Sequence, residues 1–219
     1  MIDMQLVGLL GGTFNPIHFG HLRMAQELAE TLQLSEVRFI PSANPPHKTA
    51  PEVSAEHRAE MVKIAIADNP LFKLDACEVS REGASYTIDT LISLREASGA
   101  KTALCLFMGS DAFIKLDTWH RWQELLNYCH IVLVQRPNLS PENPKLPELL
   151  ETLLHTHYTE NASDLSAKNA GFIHMQQITA LDISSTKIRE MLKNEQAPRY
   201  LMPEKVIDYI KQHHLYSAI

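Results

Sequence analysis

Residues 6–22 read LVGLLGGTFNPIHFGHL. Leu6, Val7, Leu9 and Leu10 make a short apolar run of the kind a buried strand carries. Gly11 and Gly12 interrupt it with two positions that tolerate positive φ and let a ligand approach the main chain. Beyond Pro16 come His18, Gly20 and His21, after which Leu22, Ala25, Leu28, Ala29 and Leu32 recur at helical spacing. The stretch therefore predicts a strand, a glycine turn and a helix start, with two imidazoles at the turn. A helix start presents unpaired N–H groups and a partial positive charge, which suits a phosphate. The two histidines add donors for charge that develops on a phosphoryl group. The turn is not a Walker A loop, since it lacks Gly-Lys-Ser/Thr, nor is it the G-x-G-x-x-G dinucleotide fingerprint.

Further along, the same alternation repeats. Glu36 to Ile40, Leu71 to Leu74, Thr102 to Met108, Ile131 to Val134 and Gly171 to Met175 read as strands. Helices are expected after Ser54, which can cap a run to Asp68, through Leu91, Leu94 and Ala97, from Leu116 to Leu126, around Leu149 to Leu154, after Ser184 or Ser185, and after Pro203. Arg58, in the first turn of the second helix, is expected to face solvent. Five or six strands alternating with helices predict an α/β, Rossmann-like, doubly wound parallel sheet in a single domain over 1–219, with a variable excursion around 138–169.

The chain has 219 residues, of which 45% are hydrophobic and 21% charged, with a formal net charge of −6. That composition is globular, and no apolar run approaches the ~20 residues a membrane-spanning helix needs. The N-terminus has neither a basic start nor a small-residue cleavage site, so a cytoplasmic location is expected, without membrane attachment. Acidic charge without a basic block argues against nucleic acid as a partner. Cys77, Cys105 and Cys129 lie far apart with no C-x-x-C pair, and Cys105 reads as a small core residue. His155 and His157 lack neighbouring carboxylate or thiol ligands at metal spacing and read as surface residues.

Five other places carry chemistry-bearing residues, most of them where strands end or helices begin. The loop after the second strand, SANPPHKTAPEV, offers Asn44, His47 and Lys48 at the carboxyl edge of a parallel sheet, the edge at which such folds bind ligands. Ser85, Tyr86 and Thr87 open a helix, where Thr87 is readable as a cap and the local N–H groups as donors to a carboxylate. The run Thr102 to Met108 ends in Gly109-Ser110-Asp111, a second glycine turn in which Asp111 can serve as an N-cap. Trp119 is equally readable as core or as a flat face for an aromatic ligand. Finally, Ile183-Ser184-Ser185-Thr186-Lys187-Ile188-Arg189 opens a helix with hydroxyls, N–H groups, a lysine and an arginine, a second anion-binding pattern.

The segment GGTFNPIHFGH resembles the signature of the nucleotidyltransferase superfamily. Together with NPPHK, SYTIDTL, GSDAF, TWHRW, HIVLVQRP and ISSTKIR, the chain resembles the bacterial nicotinate-nucleotide adenylyltransferases over nearly its whole length; only 138–169 lacks a marker. The resemblance implies transfer of the adenylyl group of ATP to nicotinate mononucleotide, with Mg2+ carried by the ATP phosphates and no metal ligands from the protein. It implies that Gly11, Gly12, Thr13 and Phe14 shape a triphosphate cradle, with His18, His21 and Lys48 on the phosphates. Ile183, Ser184 and Arg189 would serve ATP from the far side, with Gly109 and Asp111 near the nucleotide. The acceptor would meet Asn44, Lys48, Ser85, Tyr86 and Thr87, with its ring on Trp119 and its carboxylate near Thr87 and His120. Partners are then ATP and nicotinate mononucleotide, with a homo-oligomer possible. Asn15 stands where most of that family carry aspartate; Asn keeps an acceptor for a turn hydrogen bond and loses the charge. Alternatives are the same chemistry on nicotinamide mononucleotide or another phosphate acceptor, and a nucleotide-sensing module without turnover.

Overall fold

A computed structural model describes residues 4–44, 51–81, 83–135 and 146–216. The elements in chain order are β1 (Gln5–Gly12), α1 (Phe19–Thr31), β2 (Glu36–Pro41), α2 (Ala55–Ile66), β3 (Phe72–Leu74), α3 (Thr87–Ser98), β4 (Thr102–Gly109), α4 (Ser110–Phe113), β5 (His130–Gln135), α5 (Glu148–His157), β6 (Tyr158–Thr159), β7 (Ile173–Gln177), α6 (Ser185–Lys193) and α7 (Glu204–Gln212). The strands form one seven-stranded sheet in the order β3-β2-β1-β4-β5-β7-β6. Strand pairs β1/β4, β4/β5, β5/β7 and β6/β7 run parallel. The order reverses at β1/β4, and doubly wound sheets bind ligands beyond the carboxyl ends of strands at such a reversal. The expected α/β doubly wound sheet is thus observed.

The differences from expectation have local causes. The added strand, β6, has only two residues and lies inside the 138–169 excursion, too short for any periodicity to register. Leu116 to Leu126 was expected as one helix; the chain instead makes two 3-10 turns, Leu116–Thr118 and Trp122–Asn127, separated where Arg121 takes a left-handed conformation (φ 52°). Trp122, on the face that helical spacing would share with buried Leu125 and Leu126, is only half-buried. Among the described residues, no helix is long and apolar enough to cross a membrane.

The chain packs as two compact units. One comprises residues 1–10, 27–37 and 86–180; the other comprises 11–26, 38–85 and 181–219. The first is built on β4 and β5, whose residues Ala103 to Met108 and His130 to Val134 are all buried, as strands covered on both faces require. Gly8 lies in β1 of this unit because a Cβ there would come within 2.4 Å of the Phe107 ring and 2.9 Å of Leu34 Cδ1. Arg95 on α3 donates to the carbonyls of Thr102, Tyr128 and Asn169, stitching the ends of three segments. In the second unit α2 packs on β3 and α7, with Met61 and Val62 of α2 and Val206, Ile207 and Ile210 of α7 buried.

Candidate active site

The second unit contains the glycine turn, α1 as far as Gln26, and the Ile183–Arg189 segment. Phe14 holds the turn in place: it is buried, takes φ 46°, and sets its ring edge-on to His21 (5.1 Å) and against Phe39 (5.9 Å). The next peptide, Asn15–Pro16, is cis. The carbonyls of the turn are engaged by the rest of the unit. Gly12 O accepts from Ser42 N (2.9 Å), Thr13 O from Arg58 Nη1 (2.6 Å), Asn15 O from Arg189 Nη1 (2.8 Å) and Pro16 O from Ser185 Oγ (2.9 Å). The Asn15 side-chain oxygen accepts from the Tyr216 hydroxyl (2.6 Å). Peptide planarity sends each N–H opposite to the preceding carbonyl. The fixed carbonyls of Gly12, Thr13 and Pro16 therefore direct the amides of Thr13, Phe14 and Ile17 the other way, as in an anion nest, whereas the Asn15 carbonyl precedes the Pro16 nitrogen, which carries no proton. The Phe14 amide has no partner among the described residues.

The two histidines cap α1. His18 is buried and its ring stacks on His21 (centroids 3.8 Å apart). The His18 main-chain N–H donates to His21 Nδ1 (3.3 Å), while His18 O accepts from the amides of His21 and Leu22. An Nδ1 that accepts is bare, so neutral His21 carries its proton on Nε2 and is a donor there. Gly20 is tight against the histidine pair: a Cβ there would sit 3.0 Å from the His18 ring, which would have to give way. The helix start offers fewer amides than expected: Phe19 N is spent on Leu201 O and those of His21 and Leu22 on His18 O, which leaves Gly20 N–H.

The expected joining of the two anion patterns is present within this unit. Ser184 is the N-cap of α6, its side chain accepting from Lys187 N (3.2 Å). Ser185, the other candidate cap, instead donates its hydroxyl to Pro16 O. The amides of Ser185 and Thr186 have no partner among the described residues. Arg189 reaches Thr186 Oγ1 (3.4 Å) as well as Asn15 O, and Ile183 O lies 3.7 Å from the Cβ position of Gly20. Gly11 is exposed and Thr13 half-buried. The donor set (imidazole, guanidinium, amides) suits anionic oxygens. Among the described residues, no group of three or more His, Cys, Asp or Glu is placed to hold a metal ion.

Asn44 and Ser85 also meet in this unit. The amides of Ala43 and Asn44 both donate to Ser85 Oγ (3.2 Å each), Asn44 Nδ2 donates to Gly83 O, and Ser85 N donates to Asn44 O. His47 and Lys48 lie outside the described residues. Arg58 corrects the expectation of an exposed side chain: it is 1% exposed, because its guanidinium satisfies three main-chain carbonyls. Its role, and that of Tyr216, has no local sequence signal, since their partners lie 45 and 201 residues away.

The first unit carries the other candidates. Tyr86 is the N-cap of α3 and makes no side-chain cap bond; Thr87 is the first helical residue rather than the cap. The amides of Thr87 and Ile88 have no partner among the described residues. The Tyr86 and His120 rings approach to 4.5 Å, which brings this helix start to the turn holding half-buried Trp119 and exposed His120. Gly109, rather than Asp111, caps α4, and Asp111 is exposed in its first turn. His157 is half-buried, bonded to Gly171 O, while His155 is exposed. Burial pushes the thiols of Cys77 and Cys105 up to about 12 and that of Cys129 higher still, so none is a nucleophile at neutral pH.

The Cytidylyltransferase-like family model matches residues 9–191. The "Probable nicotinate-nucleotide adenylyltransferase" of Aeromonas salmonicida is 47% identical over 213 residues, covering 97% of each chain. The protein of the same name from Hahella chejuensis is 44% identical, covering 100% of this chain and 99% of its own. Among solved structures, Plasmodium falciparum nicotinic acid mononucleotide adenylyltransferase complexed with NaAD aligns with a TM-score of 0.71, at 19% identity and 97% coverage of both chains. At that identity the likeness speaks to the fold.

Proposed function

The chain belongs to the nicotinate-nucleotide adenylyltransferases, within the cytidylyltransferase-like family, and from that premise we propose that it transfers the adenylyl group of ATP to nicotinate mononucleotide, giving deamido-NAD and pyrophosphate. The observation that carries the proposal is the turn at residues 12–16, whose carbonyls are tied back to Ser42, Arg58, Arg189 and Ser185. That arrangement leaves amides, His21 and α6 to receive a triphosphate.

The acceptor's phosphate oxygen is already a nucleophile at neutral pH. It attacks the α-phosphorus, and the bond to the bridging oxygen breaks as pyrophosphate leaves. No covalent intermediate or general base is needed; the work is alignment and neutralisation of growing charge. In this reading Gly11, Gly12, Thr13 and Phe14 cradle the triphosphate, with His18 packing His21 so that Nε2 faces the phosphates. Arg189, Ser184 and Ile183 serve ATP from α6, Lys48 adds a cation, and Gly109 and Asp111 serve the nucleotide. Magnesium enters bound to the ATP phosphates, as part of the substrate, and supplies charge neutralisation there.

The acceptor ring is assigned to Trp119, with Tyr86 and His120 in the same unit, and Asn44 and Ser85 are assigned to the acceptor as well. Support for an acid rather than an amide comes from α3: a helix start with open Thr87 and Ile88 amides and no side-chain cap favours a carboxylate. The reading carries with it a cytoplasmic enzyme of small nucleotides. Pyrophosphate release from ATP is the test, with nicotinate mononucleotide, nicotinamide mononucleotide and phosphopantetheine offered separately. Release is expected with the first at a kcat/KM at least tenfold above the others. ATP binding without release, or preference for another acceptor, overturns the proposal.

A further inference from the structure

Arg58 closes the first turn of α2, whose start is fixed by the Ser54 cap accepting from His57 N. Its guanidinium uses all three nitrogens on neutral main-chain acceptors: Nη1 on Thr13 O (2.6 Å), Nη2 on Ala43 O (3.2 Å) and Nε on Val53 O (3.2 Å). Taking a guanidinium out of water without a bonded carboxylate is costly; apolar packing would serve stability better. Burial lowers its pKa from the usual value, yet arginine stays charged in proteins.

We propose that Arg58 is a positioning residue for both substrates, one rigid fork setting the peptide planes of the triphosphate turn and of the loop that carries Asn44. Holding Thr13 O aims the Phe14 N–H away from Arg58, because carbonyl and amide of a trans peptide point oppositely. Holding Ala43 O does the same for the Asn44 N–H, which then reaches Ser85 Oγ at 3.2 Å. The planar fork spans two carbonyls at fixed separation, which an ammonium at the end of a flexible stem does not. The guanidinium also places a positive charge directly behind the turn, where it favours an anion.

The inference rests on the adenylyl-transfer reading, so wild-type turnover with nicotinate mononucleotide is measured first. Failure there refutes that reading alone, because calorimetric binding of ATP and of nicotinate mononucleotide still tests Arg58. Arg58→Lys is the main variant and Arg58→Gln the second, each read per folded molecule from a urea titration, well below its melting temperature. Gly8→Ala is the stability control: its Cβ meets Phe107 Cζ at 2.4 Å, and overpacking of that kind destabilises without touching the site. Both substrate affinities are expected to weaken about tenfold or more in Arg58→Lys, with kcat/KM falling on the order of 10²-fold, while Gly8→Ala keeps wild-type KM values. Arg58→Lys with normal binding of both substrates, weakened binding of only one, or equal losses in Gly8→Ala would overturn the inference.

Discussion

Acid should loosen the unit that carries β4 and β5, and His130 sets where. This imidazole is fully buried at the first residue of β5. Phe172 N donates to its Nδ1 (3.0 Å), and its Nε2 donates to Lys168 O (3.0 Å), so the neutral tautomer satisfies both nitrogens. Adding a proton to Nδ1 would set N–H against N–H, with the Arg95 charge nearby. Burial first, and then Arg95, outweigh the Lys168 carbonyl and push the pKa down from 6.5 to about 4. Above pH 6.5 the ring is neutral folded or unfolded, and its full contribution is present. As pH falls from 6.5 towards 4, the unfolded chain takes up a proton that the folded one refuses, and stability is lost. That interval corresponds to ~3 kcal/mol, or a drop of roughly 1–1.5 M in the urea midpoint for an m-value of about 2 kcal/mol/M. The assay is urea unfolding followed by tryptophan fluorescence between pH 7.5 and 4, with His130→Gln as the non-titrating reference. The wild type should lead the variant at pH 7.5 and lose that lead through the window. Parallel curves with a constant offset would refute the argument. β5 pairs with β4 from Cys105/His130 to Gly109/Val134, and β4 ends at Gly109, two residues before Asp111.

His21→Ala should lower turnover by ~10²–10³ in a folded protein, measured as pyrophosphate release beside a urea titration; a rate within tenfold of wild type would remove His21 from the charge-stabilising role. Asn15→Asp should leave kcat within an order of magnitude, because the Tyr216 hydroxyl can donate to a carboxylate oxygen as it does to the amide oxygen at 2.6 Å. A change of a hundredfold would mean that the charge, rather than the turn bond, matters at this position.

The alternation of strands and helices is legible in the sequence because each strand is a nearly unbroken apolar run bounded by polar or Gly/Pro residues. The two anion patterns are legible because histidine pairs, glycines and serines at fixed spacing have few structural uses. What shapes the glycine turn is written elsewhere. Its Phe14 amide is turned away because the Thr13 carbonyl is satisfied from behind, by Arg58 from 45 residues away, while Arg189 from 174 and Ser185 from 169 hold the Asn15 and Pro16 carbonyls of the same turn. Tyr216, from 201 residues away, fixes the Asn15 side chain. A buried main-chain oxygen must be paired, but no local pattern says which donor will reach it. Arg58 therefore looks, in sequence, like any charged residue on the polar face of a helix. The same holds for Arg95 in the other unit, which serves the carbonyls of Thr102, Tyr128 and Asn169. In both units an arginine closes main-chain carbonyls of segments far apart in sequence, so the local glycine motif takes up this turn geometry only when the distant chain is folded onto it.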